Sequence, residues 1–169
     1  PDIGTTSAKQ AVRFFETGTR TLLAANRHLG IDHHVVLSIV GAAAIDWGYY
    51  NGKRRQEELV LAEPLPATVL RATQFHEFAA QMIERGGPVA LVPAMLSQPV
   101  AAAEVATALV EAARGEPRGI APELAGPEQL RVPDMVRRLL RVRGSHRPTL
   151  SLRLPGAAWK AMATGGLLP

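Results

Sequence analysis

Two short runs of apolar, mostly β-branched residues constrain the fold, because each lies between segments with helical periodicity. The runs are HHVVLSI at residues 33–39 and ATVLRA at residues 67–72. Neither run alternates apolar and polar residues, which is typical of a strand buried on both faces of a parallel sheet. Strands of this kind, separated by helices, predict an α/β fold with a parallel sheet.

Helical segments fill the intervals between these strands. In residues 7–29 apolar side chains recur at helical spacing, and Gly30 follows as a C-terminal stop. Residues 50–62 form a second predicted helix, which Pro64 and Pro66 end. Further along we predict an irregular or helical segment to residue 85, strands at 89–92, 119–125 and 149–155, helices at 101–114 and 133–143, and a short helix around Trp159.

The composition agrees with one packed domain in a reducing compartment. Of the 169 residues, 47% are hydrophobic and 20% are charged, and none is cysteine. Disulfide and thiolate chemistry are therefore excluded. The longest uncharged stretch, residues 86–103, contains three prolines and is a poor membrane span. No basic-then-apolar leader opens the chain, so we expect a cytoplasmic protein without a membrane partner.

Positive charge is concentrated towards the C-terminus. Residues 1–129 carry 11 Lys/Arg against 14 Asp/Glu, whereas residues 130–169 carry 8 against 1. A basic segment can bind phosphates or nucleic acid. In the helix predicted at 133–143, however, the arginines lie opposite an apolar stripe, which favours a solvated helix face. Nucleic-acid binding is therefore not the favoured interpretation.

One set of side chains has the residue types of an acid–base site. Ser38 lies near the end of the first predicted strand, and Tyr49 and Lys53 open the next helix. Ligands of open α/β sheets bind at the carboxyl ends of strands, and residues i and i+4 share a helix face. An ammonium group lowers the pKa of a nearby tyrosine, which can then exchange a proton with a substrate hydroxyl or carbonyl.

A serine hydroxyl can hold the same substrate oxygen, and the three groups together suit hydride transfer beside a nicotinamide. On spacing alone, a Tyr-x-x-x-Lys match also arises by chance at an exposed helix start. Both interpretations stay open from the residues by themselves.

Four stretches of the chain, in this order, carry a resemblance to a known family: ETGTRTLLAANRHLGIDHHVVLSIVG, YYNGKRRQEELV, PATVLRATQFHEF and SQPVAAAEVATALVEAARG. They resemble the short-chain dehydrogenase/reductase superfamily and, within it, the atypical NmrA-like NAD(P)H-binding group. The resemblance covers most of residues 16–125 and continues more loosely to residue 169.

The resemblance implies an incomplete Rossmann-like fold, with the rear part of a dinucleotide-binding domain at residues 1–125 and a small C-terminal α+β substrate lobe at 126–169. It implies NADP or NAD as cofactor, and a reductase, dehydrogenase or epimerase activity on a small carbonyl or hydroxyl compound. By motif, Ser38 would polarise the substrate oxygen, Tyr49 would be the acid–base, and Lys53 would tune Tyr49 and bind the nicotinamide ribose. The remaining implied contacts are Ala72, Thr73, Gln74 and Phe75 for the cofactor, and His76 and Tyr50 for the substrate.

The front of the family pattern is missing. No G-x-x-G-x-x-G or G-x-G-x-x-G occurs in the chain, although such a turn cradles the pyrophosphate at a helix N-terminus. The next βαβ unit, which chooses between NAD and NADP, is also missing, and Ala72 stands where the family usually has proline. The chain therefore resembles the rear portion of a longer protein. We expect its catalytic activity to be weak or absent when it is alone. We also expect the chain to associate, for instance as a homodimer, and so cover the surface that the missing half would cover.

Three alternatives bear on function. Many atypical members of the family have lost catalysis, so a non-catalytic dinucleotide-sensing regulatory module is the alternative function. His33 and His34 are adjacent on a predicted strand and should point apart, so no metal site is predicted. Ser38 does not lie in a G-x-S-x-G elbow, which disfavours a hydrolase. We interpret Trp47 and Trp159 as packing residues.

Overall fold

The computed structural model describes residues 3–84, 87–153 and 155–169. Within these residues the elements are, in chain order, α1 (Ala8–Leu29), β1 (His34–Ile39), α2 (Gly48–Ala62), β2 (Ala67–Ala72), α3 (Glu77–Glu84), β3 (Ala90–Pro93), β4 (Leu96–Ser97), α4 (Ala102–Arg114), β5 (Gly119–Ile120), β6 (Leu130–Arg131), α5 (Val132–Val142), β7 (Thr149–Leu152) and α6 (Ala157–Ala163). No helix of this described part is long and apolar enough to cross a membrane.

The main sheet is parallel and has the strand order β1-β2-β5. β2 is its central strand and is buried along most of its length, as its unbroken apolar run predicts. The register places Val36 opposite Val69 and Ser38 opposite Arg71. The predicted α/β fold with a parallel sheet is therefore confirmed, and β1 forms one edge of the sheet within the described residues.

Helices cover both faces of this sheet. On one face Val60 of α2 packs against Val36 and Val69. On the other face Val105 of α4 packs against Ala72 at the end of β2. α1 packs against α2, which lies on the first of these faces.

The ends of the first two helices follow local sequence signals. The Ser7 hydroxyl caps α1 by accepting a hydrogen bond from the backbone N–H of Gln10, and Gly30 ends it in the left-handed conformation at φ 65°. α2 begins at Gly48, two residues earlier than the sequence predicts. Tyr49 therefore lies inside the first turn of α2.

The predicted strand at 89–92 exists as β3, but it does not join the main sheet. It pairs in parallel with β7, while β4 and β6 form a separate antiparallel pair. The largest core cluster combines residues of α3, β3, α5 and α6 with Ile45 and Tyr50. Residues 77–93 thus pack with the C-terminal elements, and the domain boundary at residue 125 stays a prediction. Leu154, part of the predicted strand at 149–155, lies outside the described residues, as does Arg85.

α1 and α2 approach each other closely at Gly52. A Cβ atom added at Gly52 would lie 2.5 Å from Cδ2 of Phe15 and 2.9 Å from the backbone of Ala11. Real Cβ atoms do not approach other atoms so closely, so this position accepts only glycine unless the helices separate. Gly18, in the middle of α1, has no neighbouring atom within 4 Å of the same added Cβ.

We expect Gly52→Ala to destabilise the protein by about 1–3 kcal/mol because the added methyl overpacks the helix contact. Gly18→Ala is the matched control, and it should stabilise the fold by about 0.4–1 kcal/mol because it removes backbone freedom from the unfolded chain. Urea unfolding followed by circular dichroism measures both changes. Equal effects of the two substitutions would contradict the close approach at Gly52.

Charges also join α1 to α2. Glu16 of α1 accepts hydrogen bonds from Arg55 of α2, with 3.0 Å between Oε1 and Nη2, and from Arg20 one turn further along α1. These bonds, with that to Arg55 the strongest, lower the pKa of Glu16 to about 2.

A depressed carboxylate pKa stabilises the folded state above the pKa of the unfolded chain and stops doing so as the pH falls through the folded value. We therefore expect wild type to be more stable than Glu16→Gln at neutral pH. The difference should shrink as the pH falls from about 4.5 to about 2. Denaturant midpoints across this range test it, and a difference that stays constant with pH would contradict the ion pair.

Candidate functional site

Ser38 lies near the carboxyl end of β1, on the sheet face that α2 covers. Its side chain is buried, with 3% of its surface exposed. Its Oγ has no hydrogen-bond partner within the described residues. A buried hydroxyl without a partner costs free energy, so packing alone does not explain a serine at this position.

Lys53 brings an ammonium group to the same strand. Its Nζ donates to the backbone oxygen of Leu37 at 2.7 Å and to Oε1 of Gln56 at 2.9 Å. The residue is 8% exposed, and Nζ also lies 4.9 Å from the centre of the Phe15 ring. Since Leu37 directly precedes Ser38, the predicted lysine and serine come together at the end of β1.

Tyr49 and Lys53 both contact the ring of Phe15. The ring of Tyr49 packs edge-on against Phe15, with 5.5 Å between ring centres, and it is only partly buried. Phe15 therefore contacts both the tyrosine ring and the lysine ammonium. The predicted i and i+4 pair lies on one face of α2, the face that meets α1.

Tyr50 points elsewhere. It is 7% exposed and belongs to the large core cluster with Ile45 and Met82. Burial raises the pKa of Tyr50 to about 12, so its phenol stays protonated at neutral pH. This position suits packing better than proton transfer, and a substrate contact through Tyr50 stays a prediction.

The segment that follows β2 is held by backbone and side-chain hydrogen bonds. Thr73 donates from Oγ1 to the backbone oxygen of Gln98 at 2.5 Å, and Ala72 is buried at the strand end. Gln74 is buried and accepts a hydrogen bond from Ser97, while its Nε2 has no partner within the described residues. Phe75 packs against the cluster around Val105. The segment is therefore held by hydrogen bonds and packing, and Nε2 of Gln74 is a buried donor without a partner among the described residues.

Three histidines are also placed by the structure. His76, predicted to contact substrate, is exposed at the start of α3. His33 bonds Thr68 and His34 bonds Asn26, so the two adjacent rings turn to different elements, as predicted. Burial, with a smaller contribution from His33, lowers the pKa of His34. In residues 3–84, 87–153 and 155–169 no group of three or more histidine or acidic side chains is arranged to hold a metal ion.

The loop between Ser38 and Tyr49 is fixed at several points. Arg54 donates to the backbone oxygens of Ala42 and Ile45 at 3.3 and 3.1 Å. Trp47 packs edge-on against Trp159 of α6, with 5.3 Å between ring centres, which confirms that both tryptophans are packing residues. The loop thereby holds the start of α2 at a fixed distance from β1.

A charge pair fixes α2 one turn beyond Lys53. Arg71 of β2 donates through Nε and Nη2 to the two carboxylate oxygens of Glu57, at 3.1 and 2.6 Å. Glu57 is 5% exposed, and its carboxylate raises the pKa of Arg71. Since Arg71 lies opposite Ser38 in the sheet register, the pair ties α2 to the sheet directly beside the serine.

Sequence reasoning missed two residues of this site, Phe15 and Gln56. Gln56 is three residues after Lys53, a spacing at which helical side chains meet, so its contact was open to prediction. Phe15 appears in the sequence only as one member of an apolar helical stripe, and nothing local indicates that it reaches Lys53 and Tyr49.

The fold class that these elements define is Rossmann-like α/β, and solved structures share it. No protein-family profile and no curated protein matches the sequence. A dTDP-glucose 4,6-dehydratase from Streptomyces venezuelae, crystallised with NAD, superposes with a TM-score of 0.69 and 15% identity over 89% of this chain and 59% of its own.

Two further structures extend the comparison. An NADPH-dependent quinone oxidoreductase from Escherichia coli gives a TM-score of 0.68 with 19% identity, over 89% of this chain and 64% of its own. A UDP-glucuronic acid 4-epimerase from Bacillus cereus, in complex with UDP-glucuronic acid and NAD, gives 0.64 with 17% identity, over 82% and 54%. The chain thus spans between about half and two thirds of the length of these enzymes, and the likeness establishes the fold.

The two buried serines give opposite expectations for stability. We expect Ser38→Ala to change the free energy of unfolding by no more than about 0.5 kcal/mol, or to stabilise, because the lost hydroxyl has no partner. Ser97→Ala is the matched control: it removes the bond to Gln74 and should cost about 1–3 kcal/mol. Thermal and urea unfolding distinguish them, and a large loss on Ser38→Ala would mean that this serine is structural.

Proposed function

We propose that the chain is the rear portion of an oxidoreductase that uses NADP or NAD and acts on a small carbonyl or hydroxyl compound. In this proposal Ser38 holds the substrate oxygen, Tyr49 exchanges the proton with it, and Lys53 favours the phenolate form of Tyr49. A bound nicotinamide supplies or accepts the hydride. The finer assignment to the atypical NmrA-like group rests on the four sequence stretches quoted above.

The observation that carries the proposal is the setting of Lys53. A buried ammonium group is costly unless its donors are satisfied, and here Leu37 and Gln56 hold it beside Ser38. The same Phe15 ring contacts Nζ and the ring of Tyr49. An accidental Tyr-x-x-x-Lys match at an exposed helix start would not bury its lysine in this way, so the geometry favours the functional interpretation.

The chain's own residues also suit a dinucleotide near the end of β2. The Ser38 hydroxyl and the Gln74 amide are buried polar groups with an unused bonding position within the described residues. Ser38 lies near the end of β1, and Gln74 follows the end of β2. α/β folds bind ligands at these ends of neighbouring parallel strands. Ala72, Thr73 and Phe75 are proposed to line the nicotinamide with Gln74. The pyrophosphate would be held by a glycine-rich turn in the rest of a longer protein, since this chain has none.

Substitution of the two tyrosines tests the proposal. We expect Tyr49→Phe to lower turnover by about 10²–10⁴-fold, because general acid–base catalysis contributes that much, while NADPH binding stays nearly unchanged. Tyr50→Phe is the comparison variant, since it removes the same oxygen from a buried core residue: turnover should change by less than about threefold where Tyr50 only packs, and a larger loss would support its predicted substrate contact.

The assay follows NADPH and NADH oxidation against a panel of quinones and small aldehydes and ketones, with cofactor binding measured by fluorescence. The full-length parent protein, whose length is established by the intact mass of the protein from its natural source, is compared with the 169-residue chain. Cofactor binding by the parent without turnover would support the dinucleotide-sensing alternative. Equal turnover in Tyr49→Phe and wild type would reject Tyr49 as the acid–base.

A further inference from the structure

A cavity lies in the C-terminal part of the protein, apart from the site just described. Its volume is about 550 Å³, within the range of small-molecule sites. Its walls are α5, the loop that follows it and the first residue of β7. None of the residues that line it belongs to α1, α2, β1 or β2, so it shares no residue with the serine, tyrosine and lysine described above.

Four arginines line this cavity: Arg137, Arg138, Arg141 and Arg147. The one carboxylate among the lining residues is Asp134. The formal charge of the wall is therefore strongly positive, although residues 1–129 of the chain are net acidic. Concave walls of one charge sign concentrate ligands of the opposite sign.

The arginines differ in how much of their charge is already engaged. Arg137 bonds Asp134 at 2.6 Å, and Arg138 lies 3.7 Å from Glu128. Both of these side chains are still 55% exposed. The side chain of Arg141, one helical turn after Arg137, is exposed and makes no ion pair or hydrogen bond with any residue the structure describes. Arg137 and Arg141 are four residues apart on α5, a spacing at which like charges repel each other.

Arg147 forms a fixed part of the wall. Its guanidinium donates to the backbone oxygens of Ile83 and Val89, at 2.7 and 3.2 Å. These bonds join the loop after α5 to the end of α3 and the start of β3. The loop that closes the cavity is thus anchored, whereas the arginines of α5 can adjust to a ligand.

We propose that this cavity binds the phosphate or diphosphate group of a soluble small molecule. Guanidinium groups pair with phosphate oxygens through two parallel hydrogen bonds, which makes arginine the preferred residue for such groups. A dianion placed between Arg137 and Arg141 relieves their repulsion and gives Arg141 a partner. The volume of about 550 Å³ suits a compact ligand, and a polynucleotide, whose extended backbone is bound along grooves and surface stripes, is a separate outcome of the test.

Inorganic pyrophosphate is the probe, titrated by calorimetry at constant ionic strength set with sodium chloride. We expect saturable binding to wild type and about tenfold weaker binding to Arg141→Gln, the effect of losing a charge-assisted hydrogen bond. Arg143→Gln is the matched control. Arg143 is exposed at the end of the same helix, and it does not line the cavity. It should bind pyrophosphate within about twofold of wild type.

Absence of saturable binding, or equal weakening in the two variants, would overturn the proposal, since only a general effect of net charge would remain. Thermal unfolding of each variant shows that it is folded. Two further measurements test whether the phosphate belongs to a nucleic acid or to a lipid. A labelled single-stranded oligonucleotide bound with steep salt dependence and not displaced by pyrophosphate would mean a nucleic-acid surface instead. Cosedimentation with phosphatidic acid vesicles that pyrophosphate does not reverse would mean a lipid headgroup instead.

Discussion

The contact of α1 with α2 at Gly52 is the constraint on which the candidate site depends. Because residue 52 has no side chain, Phe15 reaches across the helix interface to both Lys53 and Tyr49. A ring in this position excludes water from one side of the ammonium and fixes the plane of the tyrosine. α1 is therefore a wall of the site, which would be incomplete with α2 alone.

Two polar contacts then fix the position of α2 relative to the sheet. Lys53 bonds the backbone of β1 through Leu37, and Glu57 binds Arg71 of β2. The two attachment points lie on neighbouring strands and one turn apart on the helix, so they fix both the rotation of α2 and its position along its axis. A buried charge pair adds little net stability compared with apolar packing. Its effect here is to exclude other helix positions, since a rotation of α2 would leave Glu57 buried without Arg71.

Local signals in the sequence predicted β1 and β2 well, but the strand predicted at 119–125 forms only over Gly119–Ile120, with an isolated bridge from Leu124 to Ala72. The bounds of β2 agree at both ends, because Pro64 and Pro66 end the preceding helix and the apolar run begins directly after them. The serine cap and Gly30 likewise fix α1. The pairing of β3 with β7 was not predicted, because the two strands are more than fifty residues apart and neither carries a mark of its partner. β4 and β6 have two residues each, too few for any periodicity to show.

The site was predictable to the extent that it depends on spacing along one helix. The i and i+4 rule placed Tyr49 and Lys53 on a common face, and the structure adds which face it is. Adjacent residues of a helix point about 100° apart, so one of Tyr49 and Tyr50 had to face away from α1. Only the packing of Ile45 and Met82 around Tyr50 decides which tyrosine is buried in the core. That choice depends on residues more than thirty positions distant, which no local pattern encodes.

Glu57 and Lys53, two charged residues of α2, have different surroundings. The charge of Glu57 is matched by Arg71 at bidentate distance, so this pair produces little field beyond its own surroundings. Lys53 donates to two neutral acceptors, the backbone oxygen of Leu37 and Oε1 of Gln56. The matched pair of Glu57 and Arg71 therefore holds the helix in place, whereas Lys53, one turn earlier, presents its ammonium group near the end of β1.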